Sequence, residues 1–296
     1  MRVAITGANG LIGSSLVTAL RKDGHQVQRL VRHPVTKLDE IAWDPAKNSV
    51  DLAALEGVNA VVHLAGAGVG DKRWTSSYRH IILQSRVEGT RTMADAVSTL
   101  KPDVFISASA MGWYGDTVNR AVTEKDRGGD DFLADVCREW EAAADLAGEV
   151  RTVKLRTGLV LDPHGGALSR MIPLFKAGIG GRMGSGQQWW SWITLRDHIG
   201  AIKHLLQSDF AGPINLTAPN PATNAEVTAA LARALHRPAL LPVPGFALKI
   251  ALGGFSAEVL GSKKVLPEAL LANGYVFQDE HILTALATLL AEDRAA

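Results

Sequence analysis

The chain has 296 residues, 47% of them apolar and 21% charged, with a net charge of +1. That length supports one large α/β domain or a domain with an added lobe, and balanced charge without a long basic run argues against a nucleic-acid partner. Cys137 is the only cysteine, which excludes an internal disulfide and a cysteine-rich zinc site, and the histidines show no metal-ligand spacing. No metal is expected.

The N-terminus runs straight into an apolar strand with no cleavable leader, which together with the cysteine usage leads us to expect a cytoplasmic protein. The most apolar stretch, 239–261, is interrupted by Pro242, Pro244, Lys249 and Glu258. It falls short of a membrane span and reads as a core-packing segment, so no membrane partner is expected.

In chain order, Arg2 to Thr6 is a short β-branched run, and Gly7, Gly10 and Gly13 follow it. Leu11, Ile12, Leu16 and Leu20 recur at helical spacing until Asp23-Gly24 stops the helix. Val27 to Val31 is a second strand, Asp44-Pro45 and Asn48 mark turns, and Leu52 to Leu55 reads as a short helical piece. Ala60 to Gly68 reads as a third strand ending in small residues, followed by a helix from Tyr78 to Leu100 that Pro102 ends. Val104 to Ala110 is a fourth strand that turns from apolar to hydroxyl-bearing residues. A glycine-rich acidic loop, 127–131, leads to a helix from Phe132 to Ala147 and a fifth strand from Arg151 to Leu155.

Beyond Val160 the alternation breaks. Leu168 to Lys176 is a helix, Gly178 to Gly186 is glycine-rich, and Trp189, Trp190 and Trp192 form either a packed hairpin or a wall of a cleft. A helix from Leu195 to Leu206, a strand at Ile214 to Leu216, a helix from Asn224 to Leu235 and a last helix from His281 to Leu290 complete the chain. The rhythm predicts an α/β fold, a Rossmann-like doubly wound parallel sheet of order 3-2-1-4-5-6 with a smaller C-terminal substrate lobe. The sheet domain is assigned to 1–165 and 193–218, the lobe to 166–192 and 219–296.

Strand, glycine turn and helix start make a dinucleotide cradle, in which a helix N-terminus offers unpaired N–H groups and glycines let a pyrophosphate approach. The spacing here is GxxGxxG rather than GxGxxG. Gly7, Asn9, Gly10, Leu11, Ile12 and Gly13 are its candidate residues. An NAD site normally carries Asp or Glu at the end of the second strand, yet 26–37 holds no acidic residue, while Arg32 and His33 stand at that end. An arginine fork binds a 2′-phosphate that a carboxylate would repel, so NADP (NADPH) is the expected cofactor. Arg29 and Lys37 read as solvated cations.

On the motifs GANGLIG (7–13), HLAGAG (63–68), SASAMGWYG (107–115), LRTGLVL (155–161), SWITLRD (191–197) and NLTAPNP (215–221), the chain resembles the extended short-chain dehydrogenase/reductase superfamily. More narrowly it resembles the atypical epimerase-like subfamily with a distinctive C-terminal domain. The resemblance implies that Leu64, Ala65 and Gly66 flank the cofactor, that Ser109 matches the superfamily's catalytic serine, and that Arg86, standing where asparagine is usual, is a cofactor-binding candidate within reach of the cofactor or of Ser109's neighbourhood. It also implies a tyrosine four residues before a lysine. None of the three tyrosines, Tyr78, Tyr114 and Tyr275, has a lysine at that spacing, and Phe132 and Val136 stand where the pair is expected.

Candidates for chemistry are then Ser109 and Tyr114, with Lys72, Arg86 and Asp197 behind them. Each has a plain structural alternative: Ser109 a satisfied core hydroxyl, Tyr114 a packing phenol, Arg86 a solvated helix face, Asp197 a capping residue. The preferred reading is an NADP-dependent oxidoreductase or epimerase-like enzyme acting on a small polar or nucleotide-linked molecule, as a monomer or homodimer. The alternative is a non-catalytic NADP(H)-binding regulator in redox sensing or cell division.

Overall fold

A computed structural model describes residues 1–239 and 241–295. β1 (Arg2–Thr6), α1 (Leu11–Lys22), β2 (Gln26–Val31), β3 (Glu40–Asp44), β4 (Ser49–Val50), β5 (Ala60–His63), α2 (Ser76–Leu100) and β6 (Val104–Ala110) form the first half of the sheet domain. After β7 (Ala121–Val122) come α3 (Phe132–Ala144), β8 (Thr152–Thr157), β9 (Leu159–Asp162) and α4 (Gly166–Lys176). Then follow β10 (Trp189–Trp190), β11 (Trp192–Thr194), α5 (Leu195–Gln207), β12 (Gly212–Leu216), β13 (Ala222–Thr223) and α6 (Asn224–Leu235). The chain ends with α7 (Gly245–Leu252), α8 (Ser256–Leu260), β14 (Lys264–Val265), α9 (Glu268–Ala272) and α10 (Ile282–Ala295).

The main sheet runs β12-β8-β6-β5-β1-β2-β3-β4, parallel throughout except that β4 turns back against β3. It is a Rossmann-like sheet with a smaller lobe beside it. The order 3-2-1-4-5-6 holds once β3 is counted, and β3 is a strand that the sequence reading passed over. The run from Ala60, read as the third strand and so expected beyond the second, lies instead on the other side of β1. The reason is local: β3 begins with Glu40, a buried carboxylate that Arg29 and the N–H groups of Thr36 and Lys37 hold, and it hides the inward pattern of Ile41 and Trp43. Leu52 to Leu55 forms turns rather than a helix.

Apolar faces of α1 and α5 cover one side of the sheet, with Val3, Ile5, Leu16, Leu20, Ile202 and Leu205 almost fully buried. On the other side α2, through Met93 and Val97, and α3, through Ala144, pack over Val61 and Phe105. A second core belongs to the lobe, where Leu168, Phe175, Leu231 and Leu286 surround Trp192. The tryptophans therefore form no hairpin: β10 pairs antiparallel with β13, β11 pairs parallel with β9, and Trp190 and Trp192 are buried. The 239–261 segment also departs from expectation. Leaving aside Leu240, which lies outside the described residues, its helix α7 buries only Leu248 and exposes Phe246 and Ile250.

Candidate cofactor and active site

The glycine turn follows β1 at the carboxyl edge of the sheet, where strand order reverses between β1 and β5. Gly7 has φ +67°, and a Cβ there would lie 2.8 Å from the Leu64 backbone. A Cβ on Gly13 would lie 2.2 Å from the Gly7 carbonyl oxygen, so this glycine lets α1 pack down on the turn. Gly10 is different: a Cβ there would meet only Gly7 O, at 3.4 Å, so its bareness serves the space outside. α1 starts at Gly10 with no side-chain cap, whereas Thr75, Asp131, Thr194 and Thr223 cap α2, α3, α5 and α6. Its first N–H groups are left for an outside acceptor. Asn9 and Gly10 are exposed, Leu11 and Ile12 half-buried. The residues fit a dinucleotide pyrophosphate.

Across the turn, Leu64 and Ala65 are fixed by Thr6, whose hydroxyl accepts their N–H groups at 3.1 and 3.3 Å, and Gly66 follows. On the other flank, Leu30 pairs with Thr6, so the chain leaves β2 beside the glycine turn and places Arg32 and His33 at that edge. Both are exposed. Arg32 makes no ion pair or hydrogen bond among the described residues, and His33 Nδ1 lies 2.8 Å from Pro34 O. An open cavity of about 430 Å³ is lined by Arg32, His33, Trp43 and Asp51 among others. Arg29 is not a solvated cation: it binds Asp39 at 2.7 Å and Glu40 at 3.0 Å and holds the Asp39 carboxyl well below its ordinary range. Lys37 is exposed.

Arg86 is half-buried on α2 against Gly66. Its Nη1 donates to Ala67 O at 2.9 Å and Ile82 O at 3.1 Å, and its guanidinium stands 4.8 Å from the Trp140 ring centroid. Lys72 is exposed, and Asp197 is a buried structural group that accepts from the Gln278 and Asp279 N–H groups and from the Tyr275 hydroxyl.

Ser109 and Tyr114, at the end of β6, are brought together by a buried polar chain that the sequence reading missed. Ser109 Oγ donates to Glu141 Oε1 at 2.7 Å; Arg156 donates to both Glu141 oxygens at 2.8 and 2.9 Å and to the Tyr114 hydroxyl at 3.1 Å. Tyr114 in turn donates to Asn215 Oδ1 at 2.7 Å. Burial pushes the Tyr114 phenol up to about 12. With each hydroxyl proton committed to a buried acceptor, neither residue faces a ligand as a free acid. Glu141 was legible in one respect: Leu133, Cys137 and Glu141 recur every fourth residue on one face of α3.

That face also corrects the missing pair by one residue. A Cβ on Gly112, just past β6, would lie 3.2 Å from Leu133 Cβ and 3.5 Å from Cys137 Sγ, and Cys137 Sγ approaches Ala110 O at 3.6 Å. Phe132 instead packs on Trp74, and Val136 on Tyr78 and Ile82. Leu133 and Cys137, not Phe132 and Val136, occupy the helical positions turned toward the β6 end. Burial pushes the Cys137 thiol up to about 12, with Glu141 adding to the effect.

Residues 3–217 match the NAD dependent epimerase/dehydratase family. The chain belongs to that family. Residues 243–289 of this epimerase-family chain match a domain of unknown function, DUF1731. An epimerase family protein of Mycobacterium leprae is 42% identical over 290 residues, covering 96% of this chain and 94% of the relative. The crystal structure of human epimerase family protein SDR39U1 (isoform2) with NADPH is 33% identical, with a TM-score of 0.92 over 98% of this chain and 99% of that one. MoeE5, solved with UDP-glucuronic acid and NAD, shares the fold at 22% identity, with a TM-score of 0.78 over 100% of this chain and 99% of its own. This family member is thus an NAD(P)-binding protein of oxidoreductase and epimerase type. Among the described residues no cluster of His, Cys, Asp or Glu suits a metal ion, and no helix is long and apolar enough to cross a membrane.

Proposed function

We propose that this chain is an NADP(H)-preferring oxidoreductase or epimerase-like enzyme acting on a small polar or nucleotide-linked molecule. The observation that carries the cofactor choice is Arg32, a cation with no protein partner among the described residues, set beside the glycine turn where an NAD site places a carboxylate. NADPH in the human relative supports the same reading. The N–H groups of Leu11, Ile12 and Gly13 would hold the pyrophosphate over the bare Cα of Gly10, whose own N–H is taken by Gly7 O at 3.0 Å, Arg32 with His33 the 2′-phosphate, and Leu64, Ala65 and Gly66 the wall opposite. Bound NADP(H) supplies hydride transfer.

Leu133 and Cys137 favour a second reading, an NADP(H)-binding regulator with little turnover, because the α3 face turned to β6 offers no group that titrates near neutral pH. Titrating NADPH and NADH into wild type and Arg32→Asp tests the cofactor choice. Tighter NADPH binding, lost selectively in the variant, is expected; equal affinities in wild type, or an unchanged preference in Arg32→Asp, would overturn it. Coupled turnover assays on sugar-nucleotide and small carbonyl panels separate the enzyme from the regulator.

A further inference from the structure

At the β6 end of the crevice the inward face of α3 is apolar at Leu133 and Cys137 and the cation there, Arg156, is held by Glu141, whereas the opposite wall carries a cation that no acid among the described residues holds. Arg86 rises from α2 beneath the loop after β5, stacked on Trp140 of α3 itself. No carboxylate pairs with it among the described residues, in contrast to Arg29, Arg156 and Arg196, each of which holds an acid. Only Nη1 is engaged, by two main-chain carbonyls; Nη2 and Nε make no hydrogen bond among the described residues. A half-buried guanidinium in this state keeps its charge and has donors to spare. The nearby Cys137 thiol, held protonated by burial, adds no counter-charge.

Topology says which ligand group would meet those donors. A dinucleotide whose pyrophosphate sits at the start of α1 and whose 2′-phosphate lies by Arg32, past β2, must run its other half across the ends of β5 and β6. We propose that Arg86 grips that half, donating hydrogen bonds to the hydroxyls of the nicotinamide-side ribose from α2, and so supplies the fixed cation that the β6-facing side of α3 lacks. Being unable to release a proton, it positions the ligand and takes no part in acid–base chemistry.

The inference rests on the dinucleotide reading above, and two probes separate the failure of one from the failure of the other. NADPH carries both halves; adenosine 2′,5′-bisphosphate carries only the end assigned to Arg32. By calorimetric titration, Arg86→Met, which keeps an apolar stem against Trp140, should weaken NADPH by about 10- to 100-fold, as expected for losing charge-assisted bonds, and leave the bisphosphate unchanged. Arg86→Lys, which keeps a cation and serves if the Met variant misfolds, should lose less NADPH affinity than Met and likewise spare the bisphosphate. Equal loss of both probes, or no loss of NADPH, would overturn the role of Arg86. Failure of wild type to bind either probe would sink the dinucleotide reading itself, and this inference with it.

Discussion

Thr6 and His63 face one another in register on β1 and β5, with Thr6 Oγ1 2.8 Å from His63 Nδ1. The Thr6 hydroxyl already accepts two N–H groups, from Leu64 and Ala65, so its own proton points to Nδ1 and the imidazole carries its proton on Nε2. That nitrogen is buried under Gly89 without a partner among the described residues, and burial lowers the His63 pKa to about 3. His198, with Nε2 3.1 Å from Thr157 Oγ1 and Nδ1 unpartnered among the described residues, is lowered to about 3 as well.

Both rings stay neutral when folded and charge on unfolding, so the stability they contribute is fully present above their unfolded pKa of 6.5 and is lost as pH falls from there toward 3. At pH 5 each ring should cost about 2 kcal/mol relative to neutral pH. Urea unfolding at pH 7 and pH 5 measures this. A double variant His63→Gln, His198→Gln should be less stable at pH 7 but show a flatter pH dependence; a slope as steep as wild type would contradict the assignment.

Gly10 and Gly13 should separate folding from binding. Gly10→Ala meets no backbone closer than 3.4 Å, so its melting temperature should match wild type while NADPH affinity falls. Gly13→Ala drives a Cβ to 2.2 Å from Gly7 O and should destabilise the fold outright. Thermal melts with and without NADPH distinguish the two.

The Ser109 chain predicts a stability effect larger than any effect on ligand. Arg156→Met leaves Glu141 buried without its cation and should cost about 3–5 kcal/mol, whereas Ser109→Ala removes one hydrogen bond and should cost about 1–3 kcal/mol. If Ser109→Ala abolished turnover on an identified substrate while leaving the melting temperature unchanged, Ser109 would be a catalytic residue and the network reading would fall.

Installing the absent pair makes a further test. Cys137→Lys with Leu133→Tyr buries an ammonium in the region of the Arg86 guanidinium and should destabilise the protein by like-charge repulsion. Adding Arg86→Asn should recover much of the loss. No recovery in the melting temperature would mean that the two cations do not compete for one space.

Legibility followed periodicity. β1, β6, α5 and α6 were readable because their apolar spacing is unbroken, and the bare end of β2 could be read from the absence of any acid between Gln26 and Lys37. β3 was not, because Glu40 is charged yet buried, and only the fold brings Arg29 to it. The pair on α3 was misplaced by one residue, a rotation of about 100° that exchanges one helix face for another. Sequence does not distinguish the two pairs, because Phe132 with Val136 and Leu133 with Cys137 are alike apolar. The polar chain below the site escaped for a related reason: Glu141, Arg156 and Asn215 come from three separate elements and meet only in three dimensions.

Asp197 ties the first turn of α5, beneath the main sheet, to residues 275–279 of the C-terminal third, and Leu270 and Phe277 are buried in the same core as β1. The segment that follows the last strand of the sheet is therefore a part of that sheet's own foundation. Heating should melt the chain in one calorimetric step, and shortening it before Tyr275 should strip cover from the cofactor-bearing sheet itself, leaving no independently stable cofactor domain behind.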